Sequence, residues 1–76
     1  MEFVNEKDEW VDIDPENESW KYQNGEDSES YASGNFYTDG IDDTGRKVVV
    51  DYDGCYELPD AVQEALRKAG YDLSEL

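Results

Sequence analysis

Carboxylates are the groups from which any chemistry in this sequence has to come. Its 76 residues include 21 Asp and Glu against six Lys and Arg, with no His and a single Cys, Cys55, for a formal net charge of −15. Proton transfer at neutral pH usually draws on His, nucleophilic catalysis on a Cys or Ser beside a base, and phosphoryl chemistry on a Gly-rich loop. None of these arrangements occurs along the chain. Paired carboxylates do cleave glycosides, but they need a concave site that a domain of this size rarely builds. The chain is therefore expected not to be an enzyme and to carry no cofactor. Metal binding gets no further. Asp39, Asp42 and Asp43 gather at a turn, and Asp51-Tyr52-Asp53-Gly54 contains the D-x-D-G fragment of calcium loops. The preceding ligand position falls on Val49, however, and the closing one on Asp60 behind a Pro, so a solvated acidic turn is the expected reading.

What remains is charge and shape, and the elements that present them. Arg46 to Tyr56 (RKVVVDYDGCY) is the only run long and β-branched enough for a central strand. Alternation puts Val48, Val50 and Tyr52 on one face and Val49, Asp51 and Asp53 on the other. Trp10 to Asp14 reads as a strand with Val11 and Ile13 on its apolar side, and Ser19 to Gln23 as another burying Trp20 and Tyr22. Asn24-Gly25 is a strong hairpin signal, since both tolerate positive φ. Phe3 and Val4 suit an edge strand or a frayed end. Glu26 to Ser33 has little apolar content and suits a loop, an irregular edge strand or a mobile acidic segment.

A strand resumes over Asn35 to Ile41, and Asp42 to Gly45 (DDTG) suits a three-residue hairpin loop closed by a left-handed glycine. If Asp42 pairs with Arg46, Thr38 lies opposite Val50, Phe36 opposite Tyr52, Tyr37 opposite Asp51 and Asp39 opposite Val49. Pro59 to Ala69 carries every helix signal: Pro and Asp60 at the start, Arg67 and Lys68 near the end, then Gly70. Val62, Ala65, Leu66 and Ala69 form its apolar stripe, which is expected to cover Val48, Val50 and Tyr52. The predicted fold is α+β, an antiparallel sheet of three or four strands with one C-terminal helix packed across one face. Residues 1–76 make one small domain, with an acidic pole at 1–29, a hairpin at 35–53 and the helix at 59–69. The pole has 11 acids against two bases, a net of −9.

The carboxylates then fall into patches. Asp39, Asp51 and Asp53 gather on the outer sheet face beside Asp42 and Asp43 on the turn, while Glu26, Asp27 and Glu29 form a second patch. Tyr31 and Tyr37, set among polar and acidic residues, are candidate exposed contacts. Like charges on adjacent strands cost up to about 1 kcal/mol each, which calls for a use. Residues two apart on one strand face lie about 6.6 Å apart, twice the ~3.4 Å rise between phosphates of duplex DNA. Asp12 with Asp14, and Asp51 with Asp53, have this spacing. Such a surface suits the basic groove of a nucleic-acid-binding protein, through charge-assisted hydrogen bonds from Arg and Lys.

In size, charge, lone Cys and compact α+β layout, the chain resembles the small, strongly acidic phage-encoded inhibitors of host defence, the anti-CRISPR and anti-restriction proteins that act as DNA mimics. The resemblance implies a phage protein in the host cytoplasm that blocks DNA access to a CRISPR effector, a restriction enzyme or a repair enzyme. Net charge favours such cationic partners over nucleic acid or an anionic membrane, and disfavours dimers of the chain itself. Two other readings follow from the same charge: an acidic protein–protein adaptor without DNA mimicry, and a small domain from a halophilic cytoplasm. No apolar run reaches the roughly 18 residues of a membrane span, and no basic-then-apolar leader precedes the first strand.

Overall fold

A computed structural model describes residues 1–25 and 27–76, and the side chains of all of these except 27–30. Among the described residues, six strands and one helix follow one another as β1 (Glu2–Val4), β2 (Glu9–Asp14), β3 (Ser19–Asn24), β4 (Asp27–Ile41), β5 (Lys47–Tyr52), α1 (Asp60–Lys68) and β6 (Tyr71–Asp72). Spatial order equals chain order. Neighbours are antiparallel up to β5, and β6 lies parallel to β5. The parallel step is possible because α1 supplies the crossover that returns the chain to the same end of the sheet.

The expected three- or four-stranded sheet with a helix laid across it is therefore corrected. The sheet has six strands of mixed direction and curls as a half-barrel, with one short helix. Two short segments add strands at its edges. Phe3-Val4 pairs with β2, the edge-strand alternative, and Tyr71-Asp72 forms a strand beside Lys47 and Val48. Neither segment has enough residues for a periodicity to show, so only the partner strand makes them visible.

Curvature comes chiefly from β4. Fifteen residues of straight strand would span about 50 Å. The whole molecule is 39 Å in its longest direction, so β4 must bend. Its first part pairs with β3 and its second with β5, which makes it the hinge between two halves of the sheet. At the bend Gly34 meets Gly54 so closely that a Cβ on Gly34 would lie 2.1 Å from the Asp53 carbonyl oxygen, and one on Gly54 2.2 Å from that of Ser33. Only hydrogen fits between these backbones. The segment from Glu26 to Ser33, weak as a strand by composition, is held in β4 from Asp27 onward by its neighbour β3.

Bulges correct the expected faces of the central hairpin. Phe36 pairs with Tyr52 and Tyr37 with Asp51, but Thr38 then pairs with Val49, so Val50 is an extra residue on β5. The register returns at Ile41–Lys47, through an extra residue on β4 near Gly40, whose φ is +78°. Asp42 N–H still reaches the Arg46 carbonyl at 2.8 Å, and Gly45 takes φ +86°. A one-residue slip exchanges faces. Val49 is consequently fully buried and Val50 is 42 % exposed, the reverse of simple alternation, while Val48 and Tyr52 are half-buried.

The core lies between the concave side of the sheet and α1. Val11, Ile13, Trp20, Phe36 and Val49 face Ala61, Val62, Ala65 and Leu66, with Leu58, Tyr71 and Leu73 closing the end. Phe36 and Tyr71 meet edge-to-face, ring centroids 4.9 Å apart. The helix starts after Pro59, whose carbonyl accepts from Val62 and Gln63 N–H, and stops at Gly70 with φ +97°. Trp20 is fully buried, and its indole N–H has no hydrogen-bond partner among the described residues. That orphan donor costs about 1–3 kcal/mol against the ring's apolar burial.

Candidate partner-binding surface

Register decides which side chains share the convex face. Strand pairing places Glu2, Asp12, Lys21 and Ser33 in one row and Asp14, Ser19 and Asn35 in the next. Along β4, Tyr31, Ser33, Asn35 and Tyr37 are exposed, whereas Ala32, Gly34 and Phe36 between them are covered. Tyr37 lies beside Asp51 on β5. The outer face is thus a mixed band of tyrosine, amide and carboxylate.

Tyr37, Asp51 and Asp53 come together as the register required. The Tyr37 hydroxyl donates to Asp53 Oδ2, and Asn35 N–H donates to Asp53 Oδ1 at 2.8 Å. Asp53 N–H in turn donates to the Asn35 carbonyl at 3.0 Å, which locks the residue beside the glycine crossing. The tyrosine hydroxyl first, then the Asn35 amide, hold the Asp53 carboxyl below its ordinary range, and the same bond raises the Tyr37 phenol. Asp51 is exposed, and one of its oxygens accepts from Tyr52 N–H at 2.8 Å. Tyr31 is 50 % and Tyr37 46 % exposed.

The turn residues are divided. Asp42 is committed to the loop: its Oδ1 accepts from Thr44 N–H at 2.8 Å, Thr44 Oγ1 at 2.6 Å and Arg46 N–H at 2.9 Å. These bonds, the Thr44 hydroxyl foremost, keep its carboxyl far below the usual carboxylate range. Asp43 and Asp39 are exposed. Asp39 falls between the paired residues Thr38 and Ile41, in the bulge, so it does not stand opposite Val49 in a continuous ladder with Asp51. Glu26 lies outside the described residues, as do the side chains of Asp27 and Glu29, so the second acidic patch has no structural counterpart to report.

One polar cluster was not singled out from the sequence. Glu9 accepts from Asn5 Nδ2 at 2.9 Å and from the Tyr22 hydroxyl, and Asn5 Oδ1 accepts from the Lys7 and Glu9 amides, each at 3.0 Å. Burial first, then the Glu9 carboxylate, push the Tyr22 phenol up to about 12. Tyr22 itself holds Glu9 below its ordinary value. The signal was available, because Glu9 has the strand parity of Val11 and Ile13 and so points to the same side.

Electrostatically the surface is uncompensated. Among the described residues only two ion pairs form, the terminal ammonium with Asp12 at 3.2 Å and Lys68 with Glu64 at 3.9 Å. No charged residue among them is buried, and no group of three or more His, Cys, Asp or Glu is placed to hold a metal ion. No helix among the described residues is long and apolar enough to cross a membrane. Burial raises the Cys55 thiol, with the Asp53 charge adding to it, so the thiolate is disfavoured. No family model, curated protein or solved structure matches the chain.

Proposed function

We propose that this protein is a charge decoy, an inhibitor that occupies the basic nucleic-acid-binding surface of a DNA-processing protein in the cytoplasm and keeps DNA out. The observation that carries the reading is the union of shape and charge. The molecule is a rod of 39 × 22 × 21 Å, comparable in width to a DNA duplex. A duplex of that length carries about 23 phosphates at one per ~1.7 Å of axis. This rod carries a net −15, with 21 carboxylate side chains against six Lys and Arg and only two ion pairs among the described residues. Asp51 and Asp53 beside the ring of Tyr37 provide the contacts most suited to Arg and Lys, the carboxylates as acceptors and the ring as a cation-binding face. A CRISPR effector, restriction enzyme or repair enzyme is the class of partner this chemistry fits.

The test is a pull-down with tagged protein from lysates containing such enzymes, eluted in parallel with duplex DNA and with salt. Release of a nucleic-acid enzyme by DNA, at a salt concentration that alone releases nothing, supports the reading. Partners that leave only with salt, or no partner at all, overturn it and favour an acidic adaptor. The Asp51→Asn/Asp53→Asn pair keeps one oxygen at each position as acceptor for the Tyr52 and Asn35 amides, and the new side-chain NH2 at position 53 can donate to the Tyr37 hydroxyl in place of accepting from it. With two charges removed, the pair is expected to weaken capture without loss of fold.

A further inference from the structure

A second surface lies on the opposite flank of α1 from Glu9, where the half-barrel stays open. β6 pairs only with Lys47 and Val48, so from Val49 to Tyr52 the strand β5 has β4 on one side and no strand on the other among the described residues. Beside this bare stretch is a cleft of about 490 Å³ whose apolar lining includes Val50, Tyr52, Leu58, Leu73 and Leu76. Leu58 and Leu73 form a buried floor, whereas Val50 and Leu76 are 42 % and 47 % exposed. Its rim carries Glu57, Asp60 and Glu75 against the single cation Arg67. The Tyr52 amide, lacking a strand partner there, is bonded to the carboxylate of Asp51.

We propose that this cleft docks an extended, cationic segment of a partner protein, which adds as a short strand along Val49–Tyr52. Unpaired strand edges are the usual template for strand addition, with main-chain bonds giving affinity and side-chain pockets giving specificity. Here an aliphatic side chain of the incoming segment rests on Val50, Leu73 and Leu76, and its neighbouring Lys or Arg faces Glu57 and Glu75. The bulge is what makes the seat, because it turns Val50 out of the core. A second copy of the chain is the wrong occupant: each copy carries −15, and no described residues offer a basic strand to present. The proposal stands apart from the decoy reading, since a segment held here need not come from a DNA-binding surface.

The probe is a blocked hexapeptide of alternating Lys and Val, compared with its Glu–Val and Lys–Gly counterparts, titrated into the ¹⁵N-labelled full chain at low salt. Expected are shifts and slowed amide exchange concentrated at Val49–Tyr52 and Leu73–Leu76, with the Lys–Val peptide binding at least about tenfold more tightly than either control. Val50→Lys, at an exposed position that leaves the fold intact, is expected to weaken binding by about tenfold or more, while Glu6→Gln in the β1–β2 connection, at the other edge of the sheet, leaves it unchanged. Shifts spread over all acidic surfaces, equal binding of the Lys–Gly peptide, indifference to Val50→Lys, or edge pairing between two copies would each overturn the proposal. DNA competition in the pull-down is read separately, so the two readings fail independently.

Discussion

Replacing Gly34 by Ala tests whether the bend in β4 depends on the glycine crossing. By conformational entropy alone the change should help, since Ala restricts the unfolded chain and stabilises by about 0.4–1 kcal/mol wherever its backbone angles are compatible. Gly34 has no left-handed φ to protect. Geometry decides otherwise: the new Cβ would lie 2.1 Å from the Asp53 carbonyl oxygen and 2.8 Å from Gly54 Cα. Ordinary contact would require the two backbones to separate by roughly 1.3 Å, in an interior that is close-packed. The atoms met are main chain, so no side chain can swing aside. Overpacking of this kind costs about 1–3 kcal/mol or more, and the net loss is expected near 2–3 kcal/mol. That is a large share of the ~4–11 kcal/mol typical for a chain of this length. Thermal unfolding followed by circular dichroism and by Trp20 fluorescence is expected to show Tm lowered by about 10–20 °C. Gly45→Ala is the control, with φ +86° but no atom within 4 Å of the added carbon, and should lose only about 1 kcal/mol from left-handed strain. A Tm for Gly34→Ala equal to or above that of the parent would refute the close-approach account of the curl. The same crossing fixes Asn35 against Asp53, so the variant is also expected to loosen the acidic face.

Salt should stabilise the protein. The unpaired carboxylates greatly outnumber the two described ion pairs, so shortening the Debye length from about 10 Å at 0.1 M to ~3 Å at 1 M removes more repulsion than attraction. Tm measured across a sodium chloride series is expected to rise, and a fall would mean that attractive pairs dominate. At high pH the Tyr22–Glu9 bond is the weak point: the phenol is raised in the folded state to about 12 from an ordinary 10.0. Its contribution is complete below the unfolded value and is lost as pH rises through the folded one. Stability by urea titration should therefore decline between pH 10 and 12, and the slope should be shallower in Tyr22→Phe; an unchanged slope would remove the assignment.

The parts of this molecule that were legible before folding are those set by neighbours in sequence. Pro59, the 3.6-residue stripe of Val62, Ala65 and Leu66, and Gly70 specify the helix locally, because its hydrogen bonds lie within the segment. Alternation likewise identified Val11, Ile13 and Trp20 as core, and the turn chemistry of Asp42 to Gly45 brought Tyr37 to Asp51 and Asp53. The charge, on which the proposed class of partner rests, is compositional and needs no fold. The tertiary structure alone decided the rest. A strand's partner lies outside its own segment, so nothing local announces that β4 spans two halves of the sheet or that Tyr71-Asp72 pairs with β5. A bulge adds one residue and inverts every face beyond it, which is why Val49 went in, Val50 came out and Asp39 left the ladder. That Asp42, a candidate partner contact, clasps its own turn shows only in the structure, because a carboxylate's free valence depends on which amides the fold brings within 3 Å. Charge was therefore written in composition, while its presentation depended on contacts between residues distant in the chain.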